Sequence, residues 1–181
     1  MNIPNLLTLL RIILVPIVVI FLIQGSFEKA LLAFVVAAAT DALDGFLARA
    51  LGQHTLLGAY LDPVADKALL ASSFVTLSVL NVIPGWLTVI VISRDIVILL
   101  GIMVLSLISI EVKIHPSVVS KINTAMQLIT ILMVLSDRSF PGYVHELGLI
   151  GLFFITAFFT IVSGLDYMKK GQKLINHAAE K

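Results

Sequence analysis

Six apolar stretches dictate what this chain can become. They run at about 6–24, 30–51, 57–80, 85–109, 117–136 and 146–168, each close to the roughly 20 residues that carry an α-helix across a bilayer. Between them, Gln24-Gly25-Ser26, Gly52-Gln53-His54, Asn81 to Gly85, Glu111 to Pro116 and Ser136 to Gly142 gather turn formers and charges. Lipid offers no water to backbone amides, so each stretch has to satisfy its own and becomes a helix. With 59% hydrophobic and 13% charged residues among 181, the chain has too little polar surface to fold as a soluble domain. The expectation is an all-α, polytopic membrane protein with six transmembrane helices, residues 1–181 forming a single domain. A net charge of +1 with no basic run or aromatic platform offers nothing to nucleic acid, and the lack of cysteine excludes disulfide and thiol chemistry.

Lysine and arginine set the orientation. With the N-terminus inside, Arg11, Arg49, Lys67, Lys113, Lys121, Lys169, Lys170, Lys173 and Lys181 fall toward the cytoplasm, whereas Lys29 and Arg138 fall outside and Arg94 is mid-span. That imbalance predicts cytoplasmic N- and C-termini. The first apolar run follows Arg11 as a signal peptide would, but Ile23-Gln24-Gly25 is a poor cleavage site, so the run is read as a retained helix.

Against this background the acids stand out. Asp41, Asp44, Asp62 and Asp66 lie within or beside the second and third apolar stretches. Each acid left unpaired at bilayer depth costs roughly 2.5 to 3.5 kcal/mol. On a helix, Asp41 and Asp44 lie about 60° apart and Asp62 and Asp66 about 40° apart, so each pair shares a face. Consecutive antiparallel helices would make the four converge, and a divalent cation would remove their repulsion. Oxygen ligands, with no cysteine in the chain and no histidine at the spaced positions of the pattern, select a hard ion, Mg²⁺ or Mn²⁺, whose usual companion is a phosphate-bearing substrate. Gly45 and Ala48 leave little bulk beside the acids, and Arg49 offers a fork to phosphate oxygens. Snorkelling or capping acids, and an ion or proton pathway through a transporter, are the competing readings.

The order Asp41-x2-Asp44-Gly45-x2-Ala48-Arg49-x8-Gly58-x3-Asp62-x3-Asp66 resembles the signature of the CDP-alcohol phosphatidyltransferase family, class I. The resemblance implies CDP-diacylglycerol as donor and an alcohol as acceptor, with Asp41, Asp44, Asp62 and Asp66 holding the metal. It also implies that Asp66 is the catalytic base, that Gly45, Ala48, Arg49 and Gly58 line the nucleotide site, and that the protein is a homodimer. Asn2 to Arg11 is similar to the family's N-terminal interfacial segment, which closes over the nucleotide with Pro4, Asn5 and Thr8. Helix initiation and capping explain those three residues equally well. Ala33 and Ala37 have the small-x3-small spacing of a helix contact, within the chain or between chains.

The later helices bear on the acceptor. Ser93-Arg94-Asp95 is either a local charge compensation, though neighbours on a helix point about 100° apart and pair poorly, or a place where Arg94 meets the acceptor or its phosphate. Ser120, Asn123, Thr124 and Gln127 recur at helical spacing, a polar stripe that suits hydrogen bonding between helices, with Lys121 beside it as a second acceptor or phosphate ligand or as a snorkelling cation. Ser93-Arg94-Asp95 with Ser120 to Ala125 and Gln127 looks more like the family's cardiolipin synthases than its phosphatidylglycerophosphate synthases. The latter carry a further arginine about two turns beyond the Arg94 position, where this chain reads Leu100-Gly101-Ile102-Met103. Phosphatidylglycerol is therefore the expected acceptor and glycerol 3-phosphate the alternative. His54, His115, His145 and His177 fall in loops or the tail without ligand spacing, Trp86 and Tyr143 suit an outer interfacial belt, and Lys169, Lys170 and Lys173 suit anionic head groups.

Overall fold

The computed structural model describes the backbone at residues 3–51, 56–107, 117–142 and 146–179, and side chains at 9–41, 65, 67–105, 107, 117–142 and 146–172. Six α-helices follow in order: α1 Ile3–Ile23, α2 Phe27–Leu51, α3 Leu56–Val79, α4 Gly85–Leu107, α5 Val118–Ser139 and α6 Glu146–Ala179. No strand occurs among the described residues.

The helix ends are where the sequence asks for them. After α1, Gly25 takes φ +69, its N–H donates to Leu22 and the Ser26 N–H donates to Phe21. This is the Schellman closure, in which glycine accepts the left-handed conformation without a Cβ penalty. Asn81 does the same after α3 with φ 57, its N–H on Ser78 and that of Val82 on Leu77. Asparagine is the residue after glycine that tolerates this geometry best. Ser117 caps α5 through its hydroxyl, which accepts the Ser120 N–H at 3.2 Å. Two ends run past expectation. α5 continues through Asp137 and Arg138 to Ser139, and α6 continues past residue 168 to Ala179, carrying Lys169, Lys170, Lys173 and His177 on a helix rather than a tail. The cause is local: apart from Gly171 and Asn176 the segment after Met168 holds mostly good helix formers and no proline, and Lys170 pairs with Asp166 one turn back at 2.8 Å.

The chain forms two compact units. In the first, α1 packs against α2 and α3, and Ile131 onward in α5 joins them. Its core is Val18, Leu22, Ala30, Phe34, Ala37, Phe74 and Leu77, with Ile131 and Leu135. Ala33 and Ala37 are both buried, so their small faces serve packing within the chain. In the second unit, α4 packs against α6, and the first half of α5 is hydrogen-bonded to α6.

Polarity is inside out. Leu32, Val79, Val89, Leu99, Leu107, Phe154 and Phe158 are exposed, while Arg11, Ser73, Asn123, Gln127, Thr130, Thr156, Thr160 and Ser163 are buried. Water would reject that surface and lipid accepts it. Among the described residues, Gly85–Leu105, Val118–Ser139 and Glu146–Gln172 are long and apolar enough to cross a membrane, and Leu9–Ile23 and Lys67–Val79 are apolar but shorter.

Candidate active site

Asp41 is the one acid of the motif whose side chain is described. It sits on α2, half-exposed, and its Oδ1 lies 2.8 Å from Nη2 of Arg11 on α1. Arg11 is fully buried. Asp44 belongs to α2 by its backbone and Asp62 and Asp66 to α3, four residues apart on one face as the spacing requires. The side chains of Asp44, Asp62 and Asp66, and of Pro4, Asn5, Thr8, Gly45, Ala48, Arg49 and Gly58, lie outside the described residues. So do Tyr143, His54, His115 and His145. Among the described residues no cluster of three or more carboxylate, histidine or cysteine ligands occurs.

Sequence reasoning used Arg11 only as an orienting charge. The signal that points to its role is the hairpin itself. Measured from Gly25, Arg11 and Asp41 are about 14 and 16 residues away, or about 21 and 24 Å of helix, so antiparallel pairing of α1 and α2 brings them level. A buried guanidinium then takes the carboxylate that the hairpin presents.

The second unit holds the other cation. Arg94 is buried on α4, and its Nη1 donates to Asp95 at 2.8 Å. Its Nη2 donates to Ser120 of α5 at 2.8 Å and to Ser163 of α6 at 2.6 Å. The Tyr167 ring lies 5.5 Å from its Cζ. Gly164 lies beside the stem, where a Cβ would stand 3.5 Å from Arg94 Cγ, an ordinary van der Waals contact. The expectation that neighbours on a helix pair poorly does not hold for Arg94 and Asp95. An arginine is long enough for its fork to turn back along the helix while its other nitrogen reaches across to two more. Lys121 is exposed on α5.

The polar stripe of α5 continues the network. Asn123 Oδ1 accepts from the Thr160 hydroxyl at 2.7 Å, and Thr130 and Thr156 hydroxyls meet at 2.7 Å. Thr124 spends its hydroxyl on the Ser120 carbonyl of its own helix. Gln127, fully buried between these levels, has no partner for either amide atom among the described residues. Two turns beyond Arg94, Val97, Leu100, Gly101, Val104 and Leu105 of α4 face Leu165 and Met168 of α6 across an apolar groove of about 650 Å³.

A sequence model of the family described as CDP-alcohol phosphatidyltransferase matches residues 1–163. The chain belongs to the CDP-alcohol phosphatidyltransferase family. The match takes in Asp41 to Asp66 as well as Arg94 and the stripe of α5. Human cardiolipin synthase (CMP-forming) is 34% identical over 96% of this chain and 63% of its own length. A probable phosphatidylglycerophosphate synthase of Mycobacterium tuberculosis is 34% identical over 93% of this chain and 81% of its own. The CDP-diacylglycerol–glycerol-3-phosphate 3-phosphatidyltransferase of Escherichia coli K12 is 36% identical over 92% of this chain and 93% of its own. The chain thus spans a little under two thirds of the human relative, and like other members of its family it is an integral membrane protein.

Proposed function

We propose that the protein transfers the phosphatidyl group of CDP-diacylglycerol to an alcohol and releases CMP. The observation that carries this is the unbroken pattern from Asp41 to Asp66, set on two helices of a chain whose family membership covers residues 1–163. The acceptor hydroxyl forms a new bond to the β-phosphorus, the bond from that phosphorus to the oxygen of CMP breaks, and the hydroxyl proton passes to a carboxylate oxygen of Asp66. Pro4, Asn5, Thr8, Gly45, Ala48, Arg49 and Gly58 hold the nucleotide.

Asp41, Asp44, Asp62 and Asp66 are the residues that would hold Mg²⁺ or Mn²⁺. The donor set fits a hard cation: it is all carboxylate, and the one described member, Asp41, is half-exposed with a single oxygen engaged by Arg11. Such an ion, when bound, neutralises the diphosphate and stabilises the leaving phosphate.

Phosphatidylglycerol is the favoured acceptor. Support comes from the apolar character of Leu100-Gly101-Ile102, where the synthases of phosphatidylglycerophosphate are expected to carry a cation for the acceptor's dianion. Arg94 and Lys121 are the candidates for contact with the acceptor or its phosphate. Glycerol 3-phosphate is the second reading, favoured by the identity shared with the Escherichia coli relative named for it and with the probable phosphatidylglycerophosphate synthase. The excess of lysine and arginine on one side supports a cytoplasmic site and cytoplasmic termini, and a homodimer is the expected assembly.

The deciding experiment offers purified protein labelled CDP-diacylglycerol with phosphatidylglycerol or glycerol 3-phosphate, with Mg²⁺ and with chelator. Cardiolipin formation, lost on chelation, is the expected result. Phosphatidylglycerophosphate would overturn the acceptor, chelator-resistant turnover the metal, and absence of CMP with both acceptors would move the search to another alcohol.

A further inference from the structure

We propose that Arg11 is a positioning residue for the metal site: from α1 it holds Asp41 of α2 by one oxygen and leaves the other to ligate. This rests on the metal reading given above. Three observations lead to it. The contact is close, 2.8 Å from Nη2 to Oδ1. Its two ends are unequal, since the Arg11 side chain is 0% exposed and that of Asp41 46% exposed. A carboxylate that open to solvent has no need of a buried guanidinium for its own solvation, so the pair is not a device for hiding an acid. The third is topological: α1 contributes no acid to the motif, yet it packs against both helices that do.

A carboxylate on a helix has free rotation about two bonds and samples several rotamers. Fixing one oxygen removes that freedom before the cation arrives, the service that hydrogen-bonded partners commonly render to metal-ligating carboxylates, worth 10- to 100-fold in affinity. A guanidinium suits the task because it stays charged: the 2.8 Å contact is an ion pair rather than an aligned hydrogen bond, so charge and distance hold the carboxylate. The opposite outcome is also physical. A cation beside a cation site repels the ion and competes for Asp41, and if that dominated, loss of Arg11 would tighten binding. The two accounts therefore differ in sign.

The test is Mn²⁺ affinity of the full chain in nanodiscs, read by electron paramagnetic resonance of free Mn²⁺ without donor or acceptor. Arg11→Gln is expected to weaken Mn²⁺ binding by about 10- to 100-fold, and Arg11→Lys, which keeps a charged donor, to recover most of that loss. In an Asp41→Asn background Arg11→Gln should cost much less than in the parent, which a general loss of packing would not reproduce. Unchanged or tighter binding in Arg11→Gln overturns the proposal, as does an equal loss with and without Asp41. A parent protein that binds no Mn²⁺ overturns the metal reading itself. Should Arg11→Gln fail to fold, Arg11→Lys against Arg11→Met, similar in length but uncharged, asks the same question, and equal affinities would refute the role.

Discussion

Replacing Ser163 with alanine removes one of the two hydroxyls that share Nη2 of Arg94, at 2.6 Å, and leaves the other at Ser120. A hydrogen bond to a charged group contributes about 1.5–3 kcal/mol in proteins generally, whereas pairs measured between membrane helices average about 0.6 and reach about 1.7. The guanidinium is charged but keeps its carboxylate and its second serine, so about 1 kcal/mol is expected for Ser163→Ala. Ser120→Ala should cost a similar amount. Because both bonds end on one nitrogen, the double variant should depart from additivity by about 0.5 kcal/mol or more. Arg94→Gln is the severe case. Arg94 and Asp95 side chains are 6% and 19% exposed, and breaking a pair so buried costs about 3–5 kcal/mol. The assay is reversible unfolding in bicelles, run beside the Michaelis constant for the acceptor. If Arg94→Gln stays within about 0.5 kcal/mol of the parent, the cross-helix contacts are not what the arginine is for. A raised acceptor constant at unchanged stability would assign it to substrate instead.

Two further outcomes can be checked directly. Gln127→Met should stabilise the protein by about 1 kcal/mol, because a fully buried amide without a partner gives way to an apolar chain of similar shape; a clear loss in the same unfolding assay would mean that the amide is bonded in the working protein. Asp66→Asn should nearly abolish turnover while leaving CDP-diacylglycerol binding measurable by equilibrium titration, and a parallel loss of both would argue against a proton-accepting role.

Much of the fold was legible because its signals are local. Gly25 and Asn81 mark the ends of α1 and α3, and apolar length marks the helices between. The C-terminal stretch of α6 was not legible, since hydropathy falls at Lys169 while helix propensity does not, and only the second decides the backbone. At the candidate site the acids declared themselves by being costly in lipid. Their partner did not: Arg11 and Asp41 are distant in sequence and meet only once α1 and α2 are laid antiparallel. The Arg94 contacts were half legible. The stripe of α5 foretold hydrogen bonds between helices, but that one guanidinium would serve Asp95, Ser120 and Ser163 depends on side-chain reach, which helical angles alone do not convey.

The tight closure at Gly25 bears on how the protein enters its membrane. A lone charge costs roughly 2.5–3.5 kcal/mol at the bilayer centre and less toward the interface, so Arg11 in α1 and Asp41 in α2 would each add a cost on entering alone. The short connection from Gln24 to Ser26 lets the two helices partition as one hairpin, with opposite charges cancelling before either faces lipid alone. The ion pair proposed to order the mature site would serve earlier as the pass that admits its first two helices together.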